Sequence, residues 1–401
     1  MTRPRLFIHI GHPKTGTTAI QTFLLENRKA LKEERILVPQ AGVVAGGHHG
    51  LTRNWYGVRA REDRSQHELA ALLQEAQGGA YDTVVISSEG FIQENPAELA
   101  RLFRDAFDVF VIYYIRRQDL VAESVYAQRV RSYIQMAVQT PRELLPLLVP
   151  HYLKIITRWS LAFGPDHLRV RPFEKAAFQG GSLLGDFLTL IGSDPARHPT
   201  ADQRRNAAFK RHYLEFKRAC NLLPLLEAEH QALGEELDAL SAADDRPQPG
   251  RLLSREERVR ILTDCAAENA AIARDFLGRS DGVLFQEPPP ADAENFRPLG
   301  TPPAAVQHEI LNGLSASLRE TLEYLDRRIR LRLPEEAFLP VIPASPELPA
   351  LLAKRDHTRL RRRLAILERT LAARRAEPVR PAQRKPFLRR LLEKGRHLLC
   401  R

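Results

Sequence analysis

The stretch Leu6–Leu25, with the sequence LFIHIGHPKTGTTAIQTFLL, decides the fold of this chain. It begins as an apolar run, which is typical of a buried strand, and is then broken by Gly11 and Pro13. Apolar residues return at helical spacing after the hydroxyl pair Thr17–Thr18. Because a strand, a glycine turn and a helix start together point backbone N–H groups at one place, the stretch predicts a cradle for a phosphate-like anion.

The details of this loop depart from the P-loop of nucleoside triphosphatases. Gly11 and Gly16 have the P-loop spacing, but Thr17 stands where the P-loop lysine would be, and the lysine is Lys14. The segment Pro13–Thr18 (PKTGTT) resembles the 5′-phosphosulfate loop of sulfotransferases, which use 3′-phosphoadenosine-5′-phosphosulfate (PAPS). The resemblance implies a P-loop-like fold, PAPS as donor substrate and no metal. It also implies cofactor-binding roles for a run of five residues, Lys14, Thr15, Gly16, Thr17 and Thr18.

The pattern beyond this loop predicts an α/β fold. Thr83–Ser87 and Val109–Ile115 are further apolar strand candidates, and Ala19–Glu34 and Pro96–Phe107 are helix candidates between them. Near-continuous apolar strands that alternate with helices are typical of a parallel sheet covered on both faces. We therefore expect a P-loop-like parallel sheet flanked by helices.

A second motif follows the third strand candidate. Arg116 stands at the strand end and Ser124 lies eight residues later in a predicted helix, so both can approach one anion at the carboxyl edge of the sheet. In sulfotransferases an arginine and a serine with this separation hold the 3′-phosphate of PAPS. The resemblance implies that role for Arg116 and Ser124.

The sequence offers more than one candidate for a catalytic base. Glu89 comes just after the second strand candidate, and His48 and His49 lie in a glycine-flanked loop. A histidine titrates near neutral pH, whereas a glutamate needs a raised pKa or favourable geometry. We place Glu89 ahead of the histidines. Because the His48–His49 pair lacks further ligands at a recognisable spacing, no metal site is expected.

A weaker resemblance extends further along the chain. The run Arg171–Gly192 resembles a segment of bacterial sulfotransferase-like proteins that precedes a loop covering the cofactor. Arg205 falls where that loop would be, and it is a further cofactor-binding candidate. A basic pair at the start of a helical region is, however, usually solvated.

The positive charge is distributed unevenly along the chain. The net charge is +11 over 401 residues, but 354–401 alone has 17 Lys/Arg and 4 Asp/Glu, so the remainder is close to −2. The basic character therefore belongs to the C-terminal part, and no nucleic-acid partner is expected. The three cysteines are far apart, there is no apolar signal region, and no run of 18 apolar residues occurs. These features predict a cytoplasmic protein.

We expect three regions. They are a catalytic domain at 1–286, a proline-rich linker at 287–303 and a helical basic region at 304–401 that begins with a helix over Gln307–Leu333. In the last region, Phe387–Lys394 pairs an apolar face with cations. Such a segment can lie on an anionic membrane surface or be an ordinary solvated helix.

The sequence thus predicts a PAPS-dependent sulfotransferase that acts on a hydroxyl acceptor, with a carbohydrate or glycoconjugate as the expected class. Two alternatives stay open. A P-loop kinase or nucleotide hydrolase would explain the glycine spacing, and a non-catalytic, membrane-associated adaptor would explain the basic region.

Overall fold

The computed structural model describes residues 3–55, 58–59, 62–198, 209–223, 225–247, 250–288 and 296–332. Its strands, in chain order, are β1 (Arg5–His9), β2 (Ile36–Leu37), β3 (Asn54–Trp55), β4 (Val58–Arg59), β5 (Thr83–Ser87), β6 (Asp108–Ile115) and β7 (Leu168–Pro172). Five of them form a parallel sheet in the order β2-β5-β1-β6-β7, and β3 and β4 pair antiparallel elsewhere. β1 therefore lies at the centre of the sheet.

Thirteen helices are seen in the described ranges. They are α1 (Thr17–Glu26), α2 (Arg28–Glu33), α3 (Glu62–Gln77), α4 (Pro96–Phe103), α5 (Gln118–Arg131), α6 (Pro141–Leu148), α7 (Tyr152–Phe163), α8 (Leu183–Ile191), α9 (Arg211–Cys220), α10 (Glu227–Ala243), α11 (Arg255–Leu277), α12 (Ala304–Gly313) and α13 (Ala316–Arg332). None of them combines the length and apolar character needed to cross a bilayer.

The central strand is buried on both faces. Leu6 and Ile8 pack on one side with residues of α3, α4, α7 and the end of α11. Phe7 packs on the other side with residues of α1, α2 and α8. All three side chains are at most 3% exposed, which explains the unbroken apolar run in the sequence. The predicted α/β class, with a parallel sheet flanked by helices, is confirmed.

A further apolar cluster is formed by helices and the loops between them, without any strand of the described sheet. It joins residues of α5, α6, α9, α10, α12 and α13 to the first half of α11. The described part of the predicted C-terminal region, 304–332, packs in this cluster. The long helix α11 contributes to both clusters, since Cys265 packs in this one and Ile272 packs under the sheet.

Two predicted helices are each divided in the structure. The helix predicted at Ala19–Glu34 is interrupted at Asn27, whose side-chain Nδ2 donates to the carbonyl of Phe23 at 2.9 Å and so competes with the helical ladder. The helix predicted at Gln307–Leu333 is interrupted after Gly313. A Cβ on Gly313 would lie 2.8 Å from a methyl carbon of Leu240, so the close packing there needs glycine, a poor helix former.

Candidate active site

The loop between β1 and α1 depends on its two glycines. A Cβ on Gly11 would lie 2.5 Å from Thr17 Cγ2, and one on Gly16 would lie 2.2 Å from Leu183 Cδ2. Gly16 also has a φ of +76°, in the left-handed region that favours glycine. These contacts bring the loop close to both the start of α1 and the start of α8.

This packing predicts that Gly16→Ala destabilises the protein by about 2 kcal/mol, because the new methyl group meets Leu183 and the backbone is strained. The matched control is Gly46→Ala. Gly46 also has a positive φ, +89°, but a Cβ there has nothing within 4 Å. Chemical unfolding of both variants measures the difference. If both substitutions lower the free energy of unfolding by the same amount, the inference that the loop is closely packed at Gly16 is wrong.

The start of α1 is open to an anion. No side chain in the described ranges caps this helix, and its N-cap is Gly16. The first N–H groups of a helix have no partner within the helix, so they can donate to a bound anion. Lys14 has a φ of +71°, which is uncommon for a residue with a side chain. The hydroxyl of Thr15 donates to the carbonyl of His12 at 2.6 Å and holds the turn closed.

The two sequence motifs meet in the structure. Arg116 Nη1 donates to the carbonyl oxygen of Lys14 at 3.3 Å and to Ser124 Oγ at 3.4 Å. The guanidinium also lies over the ring of Phe173, 5.7 Å from its centroid. Arg116 and Ser124 therefore form one cationic and hydroxyl-bearing patch beside the Lys14 loop. Both contacts are near the long limit for a hydrogen bond, so the guanidinium keeps capacity for a stronger acceptor.

Neighbouring groups fix the backbone that carries Arg116. The hydroxyl of Tyr152 donates to the carbonyl of Arg116 at 2.5 Å. One residue later, Arg117 Nε donates to the buried carboxylate of Asp119 at 2.8 Å, and Arg258 of α11 donates to its other oxygen at 2.8 Å. A buried carboxylate shared by two arginines orders this turn. It thereby holds Arg116 at the carboxyl edge of the sheet.

Electrostatics link Lys14 to other site residues. Burial lowers the pKa of Lys14 from its usual value, and the positive charges of Arg131 and Arg116 lower it further, whereas Glu89 opposes the change. Burial also lowers the pKa of Arg116. Lys14 and Arg116 therefore act as neighbouring cations that favour an anionic ligand, whereas Arg131 is paired with Asp238.

Glu89 lies on the opposite flank of the loop. It lies two residues after the end of β5 and accepts a hydrogen bond from Gln21 Nε2 of α1 at 2.9 Å. His49 Nδ1 lies 3.9 Å from Glu89 Oε2 and 2.7 Å from Ser88 Oγ. Glu89 and His49 thus lie beside each other near the carboxyl end of β5.

His48 has a different environment from His49. Its Nδ1 accepts the backbone N–H of Ser87 at 3.1 Å, so its Nε2 carries the proton and donates to the carbonyl of Pro39 at 3.1 Å. Burial lowers the pKa of His48 to about 4. Both ring nitrogens are occupied by the backbone, which favours a structural role for His48.

Some residues of the site were not identified from the sequence. Arg131 lies two turns after Ser124 on α5 and donates to Asp238 of α10 at 2.7 Å. Its helical spacing from Ser124 was a usable signal. Arg251 pairs with Glu123, beside Ser124, at 3.3 Å, and no local pattern connects these two distant residues.

One predicted cofactor-binding residue cannot be placed in the described ranges. Arg205 lies outside the described residues, so its cofactor-binding role stays a prediction. Among the described residues, no group of three or more His, Cys, Asp or Glu side chains could hold a metal ion.

Comparison with known proteins gives distant likenesses. No known protein-family profile matches the chain. An uncharacterized protein from Archaeoglobus fulgidus is 24% identical over 251 residues, which are 61% of this chain and 66%, just under two thirds, of that protein. The crystal structure of a sulfotransferase from Alicyclobacillus acidocaldarius aligns over 61% of this chain and 98% of that one, with 17% identity and a TM-score of 0.33. The function is therefore argued from the site itself.

Proposed function

We propose that this protein is a PAPS-dependent sulfotransferase that transfers a sulfuryl group to a hydroxyl acceptor of the carbohydrate or glycoconjugate class. One observation carries the proposal. The lysine loop precedes α1, whereas the arginine–serine pair lies at the end of β6 and on α5. Arg116 Nη1 joins the two, because it lies 3.3 Å from Lys14 O and 3.4 Å from Ser124 Oγ. A donor with two separated anionic groups matches two adjacent anion-binding elements.

The residues present fit such a donor. The uncapped start of α1, with Gly16, Thr17 and Thr18, offers N–H and hydroxyl donors to a 5′-phosphosulfate. Arg116 and Ser124 offer a guanidinium and a hydroxyl to the 3′-phosphate, and arginine–phosphate contacts are of the strong, charge-assisted kind. When bound, PAPS supplies the activated sulfuryl group.

Within the site, Lys14 would neutralise the charge that develops on the leaving phosphate. Preorganised cations that face a developing charge are usually the largest contribution to catalysis. Burial of Lys14 strengthens this effect, because the interaction is screened less by water.

Glu89 is the proposed base that takes the acceptor proton. Gln21 orients its carboxylate, and His49 beside it can stabilise the charge or act as the base in its place. His48 is less suited to this role because both of its ring nitrogens already have backbone partners.

The base assignment predicts that Glu89→Gln lowers kcat by about 100-fold or more while the affinity for 3′-phosphoadenosine-5′-phosphate stays within a factor of three. The amide keeps the shape but cannot accept the proton. Sulfated product is measured by mass spectrometry with PAPS and a set of saccharide acceptors, in the presence of a chelator. The comparison variant is His49→Gln. If it loses far more activity than Glu89→Gln, His49 is the base, and if neither loses activity the assignment of this flank fails.

The kinase or hydrolase alternative has less support. Such enzymes need a carboxylate at a strand end to hold Mg²⁺. Glu89, two residues after β5, is a carboxylate in such a position, but Thr17 stands where these enzymes have the P-loop lysine. The membrane-adaptor alternative rests on Phe387–Lys394, which lies outside the described residues, so a membrane contact and a cytoplasmic location stay proposals.

A further inference from the structure

A groove of about 270 Å³ lies beside the edge strand β2, apart from the Lys14 loop. One wall is apolar and comes from β2 and the residue after it, together with the ring of Tyr81. The rim is cationic and comes from three residues of α2: Arg28, Lys29 and Lys32. The groove thus combines a partly apolar wall with a positively charged rim.

The lining of the groove has three cationic side chains and one acidic one, so its net charge is positive. Its acidic lining residue, Glu75, is occupied by two backbone N–H groups, those of Gln40 at 2.8 Å and Ala41 at 2.7 Å. In the part of the chain that the structure describes, Lys29 and Lys32 have no ion-pair or hydrogen-bond partner, and both are exposed. They are three residues apart on a helix, so the two like charges face the same region and favour an anion between them.

Arg28 adds a fixed donor at the bottom of the rim. It donates to the carbonyl of Pro39 at 2.5 Å and to the side chain of Gln40. Its Nε is buried and has no partner among the described residues. The hydrogen bonds to Pro39 and Gln40 hold the guanidinium in place beside the groove, where its positive charge adds to those of the two lysines.

The groove and the Glu89 flank of the proposed active site lie on neighbouring strands of the sheet. β2 is the parallel neighbour of β5, and β5 ends next to Glu89. The carbonyl of Pro39 accepts both from Arg28 and from His48, and His48 in turn accepts from Ser87 at the end of β5. Because neighbouring strands lie about 4.8 Å apart, a saccharide of several units is long enough to reach from the Glu89 flank to this groove.

We propose that the groove is an acceptor subsite that binds an acidic sugar unit, one that bears a carboxylate or a sulfate, of an extended saccharide. The cations recognise the acidic group and the Tyr81 ring packs on the face of the sugar. The assignment to an acceptor rests on the proposed function, whereas the binding of an acidic saccharide does not. An apolar wall with a few convergent polar groups is typical of a ligand site.

The test is calorimetric binding of a tetrasaccharide of alternating glucuronate and N-acetylglucosamine to the full chain. The groove variant is Lys29→Gln/Lys32→Gln. The control variant is Lys154→Gln/Arg260→Gln, which removes two exposed positive charges from α7 and α11. The basic segment 354–401 is unchanged in both variants, so its contribution to binding is the same. We expect the groove variant to lose about tenfold in affinity and the control to bind like the unmodified protein.

A neutral tetrasaccharide of N-acetylglucosamine is expected to bind at least tenfold more weakly than the acidic one. Equal affinity in both variants, or equal affinity for the acidic and neutral saccharides, would overturn the proposal. Binding of 3′-phosphoadenosine-5′-phosphate by the same samples separates the two proposals. If that nucleotide binds while the saccharide result is negative, only the groove assignment fails. If the saccharide result is positive and the nucleotide does not bind, the acidic-saccharide site stands and the sulfotransferase proposal fails.

Discussion

Arg116→Ala is expected to weaken the binding of 3′-phosphoadenosine-5′-phosphate by about 100-fold, because the guanidinium is the main proposed cation for the 3′-phosphate and hydrogen bonds to charged groups contribute strongly. The substitution also removes the contacts to Lys14 O and Ser124 Oγ, which are 3.3 Å and 3.4 Å long. Calorimetric titration of the nucleotide measures the loss.

Two further variants and an unfolding measurement separate the loss of phosphate recognition from the loss of positive charge and from a loss of folding. Arg116→Lys keeps a positive charge but not the planar fork of donors, so we expect a loss between those of the unmodified protein and the alanine variant. Arg142→Ala removes an exposed charge from α6 and should bind the nucleotide normally. Chemical unfolding shows whether Arg116→Ala is folded. A folded Arg116→Ala protein that binds the nucleotide normally contradicts the assignment of the 3′-phosphate site.

Replacing Lys14 is expected to have the largest effect on turnover. Without a cation at the leaving phosphate, kcat should fall by about 100- to 1,000-fold, whereas nucleotide affinity falls far less because Arg116 and the start of α1 are kept. Lys14→Gly is the cleaner variant. Lys14 has a φ of +71°, which glycine adopts without strain, so this change removes the cation and leaves the backbone conformation accessible.

The pH dependence provides a second readout for Lys14. Burial and the neighbouring arginines lower the pKa of Lys14, so its useful, charged form is lost as the pH rises, at a lower pH than for a free lysine. In the unmodified protein, kcat/KM should fall on the alkaline side as Lys14 deprotonates, and that decrease should be absent in Lys14→Gly. An unchanged alkaline decrease in Lys14→Gly, together with a normal kcat, would show that Lys14 does not serve this role.

The local sequence predicted much of the fold because the sheet is buried on both faces. A strand that is buried on both faces, such as Thr83–Ser87, appears in the sequence as a nearly continuous apolar run. Its observed bounds match the predicted ones. Helix ends were less predictable. Asn27 interrupts the first helix through a side-chain hydrogen bond to a backbone carbonyl. Helix propensity alone does not predict whether such a bond forms.

The candidate site was predictable where short motifs carry the chemistry. Lys14, Arg116 and Ser124 were predicted from the resemblance of their motifs to those of sulfotransferases, supported by their positions at strand ends, and the structure brings them together. The supporting network could not be found in this way. Asp119 and Arg258 are far apart in the chain and meet only because α11 packs against α5. His48 and His49 are adjacent in sequence, and only the structure shows how they differ. Both ring nitrogens of His48 are bonded to the backbone, whereas His49 lies beside Glu89.

The most direct test of the central claim is calorimetric binding of 3′-phosphoadenosine-5′-phosphate, with Mg²⁺ and with a chelator, in comparison with ATP and Mg²⁺. The account predicts tight binding of the nucleotide 3′,5′-bisphosphate that is unchanged by the chelator, together with weak binding of ATP. A preference for ATP that requires Mg²⁺, or binding of neither nucleotide, would contradict it.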